Sequence, residues 1–145
     1  MKKPKRHVYY PIYLNLKGRK TVIIGGGVKT VKKVLSLMET QSNIVVISKA
    51  IVPELQSLAD DNQITIVKRV YKNGDLKDAF MVIVMDTSDS SINHAVHQEA
   101  YERIIVCNVE DVTDLCTFIT PAIVRRGDVT VAISTAGTSP ALARK

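Results

Sequence analysis

Three consecutive glycines, Gly25, Gly26 and Gly27, stand between a short run of β-prone residues and a helical pattern. Glycine tolerates positive φ and lets a ligand approach the backbone, so a strand, a glycine turn and a helix in succession are typical of sites for a dinucleotide pyrophosphate. Gly25 and Gly27 fit the first two glycines of the pattern G-x-G-x-x-G/A. Thr30 stands in the third position, where a small residue normally lets helix and strand pack closely.

The helix that this turn opens carries Lys29, Lys32 and Lys33 near its start. Cations are unfavourable at the positive end of a helix dipole, and a bound anion would offset that cost. Three solvated lysines are the alternative interpretation. The residues after the second predicted strand, Ser48, Lys49 and Ala50, include no acid to hold a ribose diol, so chemistry alone leaves NAD and NADP both open.

Polar residues also follow two later predicted strands. Asp86 and Thr87 end the fourth, and Asn108, Glu110 and Asp111 end the fifth. Ligands of open α/β sheets lie outside the carboxyl ends of the strands, so these acids would meet a substrate near the nicotinamide, and Asp111 could serve as a general base. The alternative for each is a helix cap or a solvated loop residue. We predict no metal site, because the His residues at 94 and 97 have no third ligand nearby.

The elements that must position these residues alternate along the chain. Nearly continuous apolar runs are typical of strands covered on both faces, as in parallel sheets. The pattern predicts strands at 21–25, 44–48, 64–70, 80–85 and 104–108, with helices over 28–38, from 53 and over 90–102. This order predicts an α/β fold with a Rossmann-like, doubly wound, mainly parallel sheet. After residue 115 the pattern changes to two strands joined at 126–128, a β-hairpin.

Composition limits the partners and the compartment. The net charge is +6, but the first 38 residues hold ten Lys or Arg and no acid, which suggests an anionic partner near this region. Cys107 and Cys116 lie in or beside apolar runs and are predicted to be buried thiols of a reducing compartment. No apolar run approaches the ~18–20 residues of a membrane span, and the N-terminus lacks the apolar core of a signal peptide. We therefore expect a cytoplasmic protein.

Two segments resemble the precorrin-2 dehydrogenase family, YPIYLNLKGRKTVIIGGG and CNVEDVTDLCTFITPAIVRRGDVTVAISTAGTSPALARK. The family comprises the NAD-dependent enzymes of siroheme synthesis, some of which are combined with a ferrochelatase activity. The resemblance extends from Tyr10 to Lys145, and TFITPAIVRRGD with TSPALARK is its specific part. Lys29 and Thr30 depart from it, since the family usually has Val-Ala there.

The resemblance implies oxidation of precorrin-2 to sirohydrochlorin with NAD as the cofactor. The catalytic aspartate of the family's N-V-x-D motif falls on Asp111. Dinucleotide contacts are expected at the glycine turn, after the second strand and after the fourth: Gly25, Gly26, Gly27, Val28, Lys29, Ser48, Lys49, Ala50, Asp86 and Thr87. The substrate cleft is expected to include Thr120, Pro121, Ser134, Thr135, Gly137, Thr138 and Ser139.

The same resemblance divides the chain into an NAD-binding domain, 1–115, and the start of a dimerisation and substrate-cleft region, 116–145, with helical parts expected to follow. We therefore expect a homodimer that binds a polycarboxylate tetrapyrrole and neither nucleic acid nor a membrane. Two alternatives remain. The enzyme could also insert Fe²⁺ into sirohydrochlorin, or the chain could be a non-catalytic NAD-binding sensor or regulatory module whose basic face binds nucleic acid.

Overall fold

The structure, a computed structural model, describes residues 7–136. Its main sheet has five strands: β1 (Lys20–Ile24), β2 (Asn43–Ile47), β3 (Thr65–Val67), β4 (Ala79–Val84) and β5 (Val106–Val109). They lie in the order β3-β2-β1-β4-β5, and every neighbouring pair is parallel. The connections contain the helices α1 (Val28–Met38), α2 (Pro53–Asp60) and α3 (Ser90–Arg103), and a short 3₁₀ helix follows at Thr113–Leu115. The predicted doubly wound α/β fold is confirmed.

The chain forms two compact units. The sheet unit comprises Leu14–Thr117, and the hairpin unit comprises the described residues 7–13 and 118–136. The hairpin unit contains β6 (Ala122–Arg126) and β7 (Val129–Ile133), which pair antiparallel as the sequence predicts. Residues 137–145, which the sequence assigns to the start of the dimerisation and substrate-cleft region, lie outside the described residues. None of the described helices is both long enough and apolar enough to cross a bilayer.

The core is built on the central strands β1 and β4. Val22, Val82 and Val84 are fully buried and pack in one cluster with residues of α3 and β5 such as Val96 and Val109. Apolar runs form these strands because central parallel strands are covered on both faces. The outer strand β3 is shorter than the predicted 64–70, since its register with β2 ends at Ile47–Val67 and later residues have no strand beside them.

A buried carboxylate anchors the connection between β3 and β4. Glu99 of α3 is almost wholly buried and accepts hydrogen bonds from the Tyr71 hydroxyl, the Gly74 amide at 3.0 Å, the Leu76 amide at 3.3 Å and Arg103 Nε at 2.8 Å. Burial, and then the bond to Glu99, raises the pKa of Tyr71. Since a buried charge must be paired to be tolerated, this network fixes the segment from 71 to 76 against α3.

Helix α3 ends in a motif that usually requires glycine. Ile104 has a φ of 58°, and its amide donates to the Tyr101 carbonyl while the Ile105 amide donates to that of Ala100. This pair of bonds is a Schellman motif, whose left-handed residue is normally Gly. Ile104 is β-branched and 95% exposed, so no packing offsets its backbone strain.

Ile104→Gly is therefore expected to raise the free energy of unfolding by about 1 kcal/mol, because the left-handed conformation costs an L-residue roughly 1–2 kcal/mol. Urea denaturation measures the change. Ile104→Ala is the matched control, since it removes the exposed apolar side chain but keeps Cβ and should recover less. Equal stabilisation by both variants would show that the apolar surface, and not the backbone, is responsible.

Candidate functional site

The glycine turn lies where the order of the sheet reverses. β1 pairs with β2 on one side and with β4 on the other, so the loops after these strands diverge above their carboxyl ends. Such a switch point is where open α/β sheets bind ligands. A cleft of about 470 Å³ opens there, lined by Gly25, Gly26, Gly27, Val28, Lys29, Thr30, Ser48, Ala50, Ile51, Val52, Met85 and Asp86.

Two of the glycines are required by close backbone contacts. A Cβ on Gly26 would lie 2.2 Å from the Ala50 carbonyl oxygen, and one on Gly25 would lie 2.7 Å from the Asp86 amide nitrogen. Gly25 also has a φ of 117°, a backbone angle that residues with a side chain rarely adopt. The three loops after β1, β2 and β4 thus meet at the turn with no room for a side chain.

Gly27 differs, because a Cβ there would meet no atom of residues 7–136 within 4 Å. It is the N-cap of α1, no side chain caps the first-turn amides of the helix, and Val28 and Lys29 line the cleft. A helix N-terminus of this kind attracts phosphate. Open space at Gly27 and tight packing at Gly25 and Gly26 together form a cradle that fits a dinucleotide pyrophosphate.

Thr30 completes the turn. Its side chain is 1% exposed, and Oγ1 donates a hydrogen bond of 2.9 Å to the Gly25 carbonyl oxygen. The Thr30 amide also donates a hydrogen bond of 3.0 Å to the Gly27 carbonyl oxygen. The residue that departs from the glycine pattern is therefore accommodated in the core and ties the start of α1 back to the end of β1.

The three residues after β2 that were predicted to contact the dinucleotide differ in placement. Ser48 and Ala50 line the cleft, whereas Lys49 is exposed and does not line it. The Ser48 amide donates to the Val67 carbonyl at 3.2 Å, which holds this loop against β3. The predicted contact from Lys49 is thus not among those that the structure assembles around the cleft.

Asp86 and Thr87 also differ in placement. Asp86 lines the cleft, and its Oδ1 accepts from the amide and hydroxyl of Ser88 at 3.1 and 2.7 Å. Thr87 does not line the cleft, but its carbonyl accepts from Asn93 Nδ2 at 3.1 Å. Asp89 caps α3, and its hydrogen bonds, first of all that of the Ser91 hydroxyl, lower the pKa of its carboxyl group.

Asp111 lies in the turn after β5, at the same edge of the sheet. It is exposed and has a φ of 60°, within a turn closed by the Val112 amide donating to the Val109 carbonyl at 3.0 Å. Cys116, predicted to be a buried thiol, is half-buried, whereas Cys107 is buried as predicted, and Cys116 braces this turn. Its Sγ accepts from the Val109 amide at 3.2 Å and lies 3.4 Å from the Val112 carbonyl oxygen. Burial raises the pKa of Cys116, which keeps it a thiol able to donate.

A second cleft, of about 440 Å³, runs beside α1 and is lined by Lys29, Lys32, Lys33, Ser36, Met85 and Glu110. We name it the basic cleft. Burial lowers the pKa of Lys33, while the charge of Glu110 acts in the opposite direction. The sequence predicts either a bound anion or solvated lysines near the start of this helix, but it does not predict a cleft at Lys32 and Lys33.

The predicted substrate residues belong to a different unit. Thr120, Pro121, Ser134 and Thr135 lie in the hairpin unit, where the Ser134 hydroxyl accepts from the Ala136 amide at 3.1 Å. Gly137, Thr138 and Ser139 lie outside the described residues. Over residues 7–136, no group of three or more His, Cys, Asp or Glu side chains is placed to hold a metal ion.

A family model described as "Putative NAD(P)-binding" matches residues 12–122. The chain belongs to this family. The match spans the whole doubly wound sheet and confirms the prediction of NAD as the cofactor, in agreement with the cradle at the glycine turn.

Curated relatives of this NAD(P)-binding chain are named siroheme synthase. The chain is 38% identical over 136 residues to that of Nitrosococcus oceani and 39% identical over 137 residues to that of Nitrosomonas europaea, covering 94% of this chain in each case. It spans only 29% of the length of each relative.

A solved structure named SirC, precorrin-2 dehydrogenase, has a similar fold. It matches with a TM-score of 0.78 and 25% sequence identity, over 94% of this chain and 66% of that one. The resemblance to the precorrin-2 dehydrogenase family, inferred from the sequence motifs, is therefore confirmed by both comparisons.

The different surroundings of Gly26 and Gly27 predict that one substitution affects folding and the other affects NAD binding. Gly27→Ala should leave the melting temperature nearly unchanged, because its Cβ meets open space, yet weaken NAD binding about tenfold or more by intruding where the pyrophosphate approaches. Gly26→Ala should instead destabilise the fold, since its Cβ would overlap the Ala50 carbonyl. Differential scanning fluorimetry and calorimetric NAD titration measure the two effects. Unchanged NAD affinity in a folded Gly27→Ala protein would contradict the assigned site.

Proposed function

We propose that this chain is the NAD-binding, catalytic part of an enzyme that oxidises precorrin-2 to sirohydrochlorin in siroheme synthesis. The observation that carries the proposal is the position of Asp111 at the same edge of the sheet as a dinucleotide cradle. The similarity to a precorrin-2 dehydrogenase over 94% of the chain supports it. Ser48 and Ala50 line the cleft at the end of β2, where residues 48–50 include no acid to hold a ribose diol. This is compatible with a dinucleotide held mainly through its phosphates.

The reaction removes two electrons and two protons from the tetrapyrrole, as one hydride and one proton. NAD supplies the hydride acceptor. The first-turn amides of α1 and the open space at Gly27 would hold the pyrophosphate. Asp111 would take the proton as general base, and Cys116 would hold the turn that carries it. Asp86 would border the cofactor with its carboxylate fixed by Ser88.

Asp111→Asn should lower kcat for NADH formation from precorrin-2 by about 10²–10⁴-fold, the range of general-base contributions, because an amide cannot accept the proton. NAD affinity should not change. Asp114→Asn is the matched control, an exposed aspartate three residues along the same loop. Near-normal turnover by Asp111→Asn would reject Asp111 as the base, and NAD binding without any turnover by the wild-type protein would favour the non-catalytic sensor.

A homodimer is part of the proposal. Within the described part of the hairpin unit, β6 pairs only with β7, and a lone two-stranded hairpin is marginally stable in water. Val124, Val129, Val131 and Ile133 lie on one face of this hairpin and are all exposed. An exposed apolar face of this kind is typical of a protein interface. We also place the enzyme in the cytoplasm, which the two free thiols support.

Val131→Asp should shift the protein from dimer to monomer, because it puts a charge in the centre of the apolar face. Ala132→Asp is the matched control, since its side chain lies on the other face of the same strand. Sedimentation velocity on the natural full-length protein gives the distribution of species. Identical dimer fractions for both variants would reject this face as the interface.

A further inference from the structure

Along α1, the basic cleft is lined by three lysines and one serine. Lys32 and Lys33 follow Lys29 by three and four residues, and Ser36 follows them by four and three, so all four side chains project from the same side of the helix. Lys29, Lys32 and Ser36 are exposed, and Lys33 is half-buried. Among the residues that the structure describes, Glu110 is the one carboxylate in the lining, so the three lysines give this part of the cleft a positive charge.

This arrangement is unfavourable for the helix alone. Like charges one turn apart repel, and cations at the start of a helix oppose its dipole. The first turn of α1 has no acid to compensate. An anionic ligand in the cleft would relieve both effects. Lysines distributed around the helix would repel one another less and would not need such a ligand.

The pyrophosphate does not account for the whole cleft. Lys32 and Ser36 line the basic cleft and not the cofactor cleft, and Ser36 lies roughly 12 Å along the helix from its first residue, at 1.5 Å per residue. Lys29 and Met85 line both clefts, which therefore adjoin. A pyrophosphate at the glycine turn would therefore leave room in the basic cleft for a second anion.

The position of the cleft identifies the side from which this anion comes. Met85 and Glu110 follow β4 and β5, on the opposite side of β1 from Ser48 and Ala50, which follow β2. A dinucleotide across the switch point has its adenosine ribose at the end of β2, so its nicotinamide lies toward β4 and β5. The basic cleft is thus on the substrate side of the cofactor.

We propose that the basic cleft binds carboxylate side chains of the tetrapyrrole, an inference that rests on the proposed function. The ammonium groups of the lysines and the hydroxyl of Ser36 supply hydrogen-bond donors to those carboxylates. The cleft is a specificity site: it selects tetrapyrroles rich in carboxylates and fixes one edge of the macrocycle beside the cofactor.

The test measures binding of two porphyrins that need no turnover. Uroporphyrin carries an acetate and a propionate on every pyrrole ring, while coproporphyrin carries only the propionate. Porphyrin fluorescence is titrated with the natural protein at saturating NAD. Lys32→Glu should weaken uroporphyrin binding about five- to tenfold, in line with loss of one or more charge pairs, and coproporphyrin binding less. Lys68→Glu, an exposed lysine outside both clefts, is the matched control for net charge.

Five outcomes decide between the possibilities. Weakening by Lys32→Glu beyond that of Lys68→Glu, with unchanged NAD affinity and a raised KM for precorrin-2, supports it. Equal effects of the two variants overturn it, as does a wild-type protein that does not bind uroporphyrin. A matching loss of NAD affinity in Lys32→Glu overturns it too, because the cleft would then serve the cofactor. Selective uroporphyrin binding without oxidation of precorrin-2 would keep the carboxylate site and reject only the proposed reaction.

Discussion

The sheet unit depends on one steric constraint, the meeting of three backbone segments at the glycine turn. Gly26 leaves room for the Ala50 carbonyl and Gly25 for the Asp86 amide, at distances that no Cβ would permit. The hydroxyl of Thr30 then bonds the first turn of α1 to the Gly25 carbonyl. Because the loops after β1, β2 and β4 are fixed to one another, the crevice above them keeps a defined shape, and the first residues of α1 line it.

The candidate site is consequently built more from backbone than from side chains. Helix amides and the open space at Gly27 serve the phosphates, and the chemistry is left to a few side chains on the loops around them. Cys116 holds the turn of Asp111 through sulfur contacts to Val109 and Val112. The lysine stripe of α1 extends the positive potential from the cofactor cleft into the basic cleft, toward the side on which a substrate would lie.

The sequence predicts the sheet because buried parallel strands require apolar runs, and it predicts the glycine turn because only glycine fits there. It does not predict contacts that depend on tertiary proximity. The bond from Thr30 to Gly25 and the bracing of the Asp111 turn by Cys116 join residues whose closeness no local pattern reveals. Lys49 does not line the cofactor cleft, although it follows β2 as predicted. A position directly after a strand does not determine whether the side chain points into the cleft. Asp111 as the base was inferred from its position after the fifth strand and from a family motif, and it remains a prediction.

The most direct test of the account is the stoichiometry of the proposed reaction in the natural full-length protein. Precorrin-2 and NAD are supplied together under anaerobic conditions, and NADH and sirohydrochlorin are quantified from the same samples over time. The account predicts that both accumulate in equal amounts and that neither forms without NAD. Sirohydrochlorin formed without NADH, or bound precorrin-2 that stays unoxidised in the presence of NAD, would contradict it.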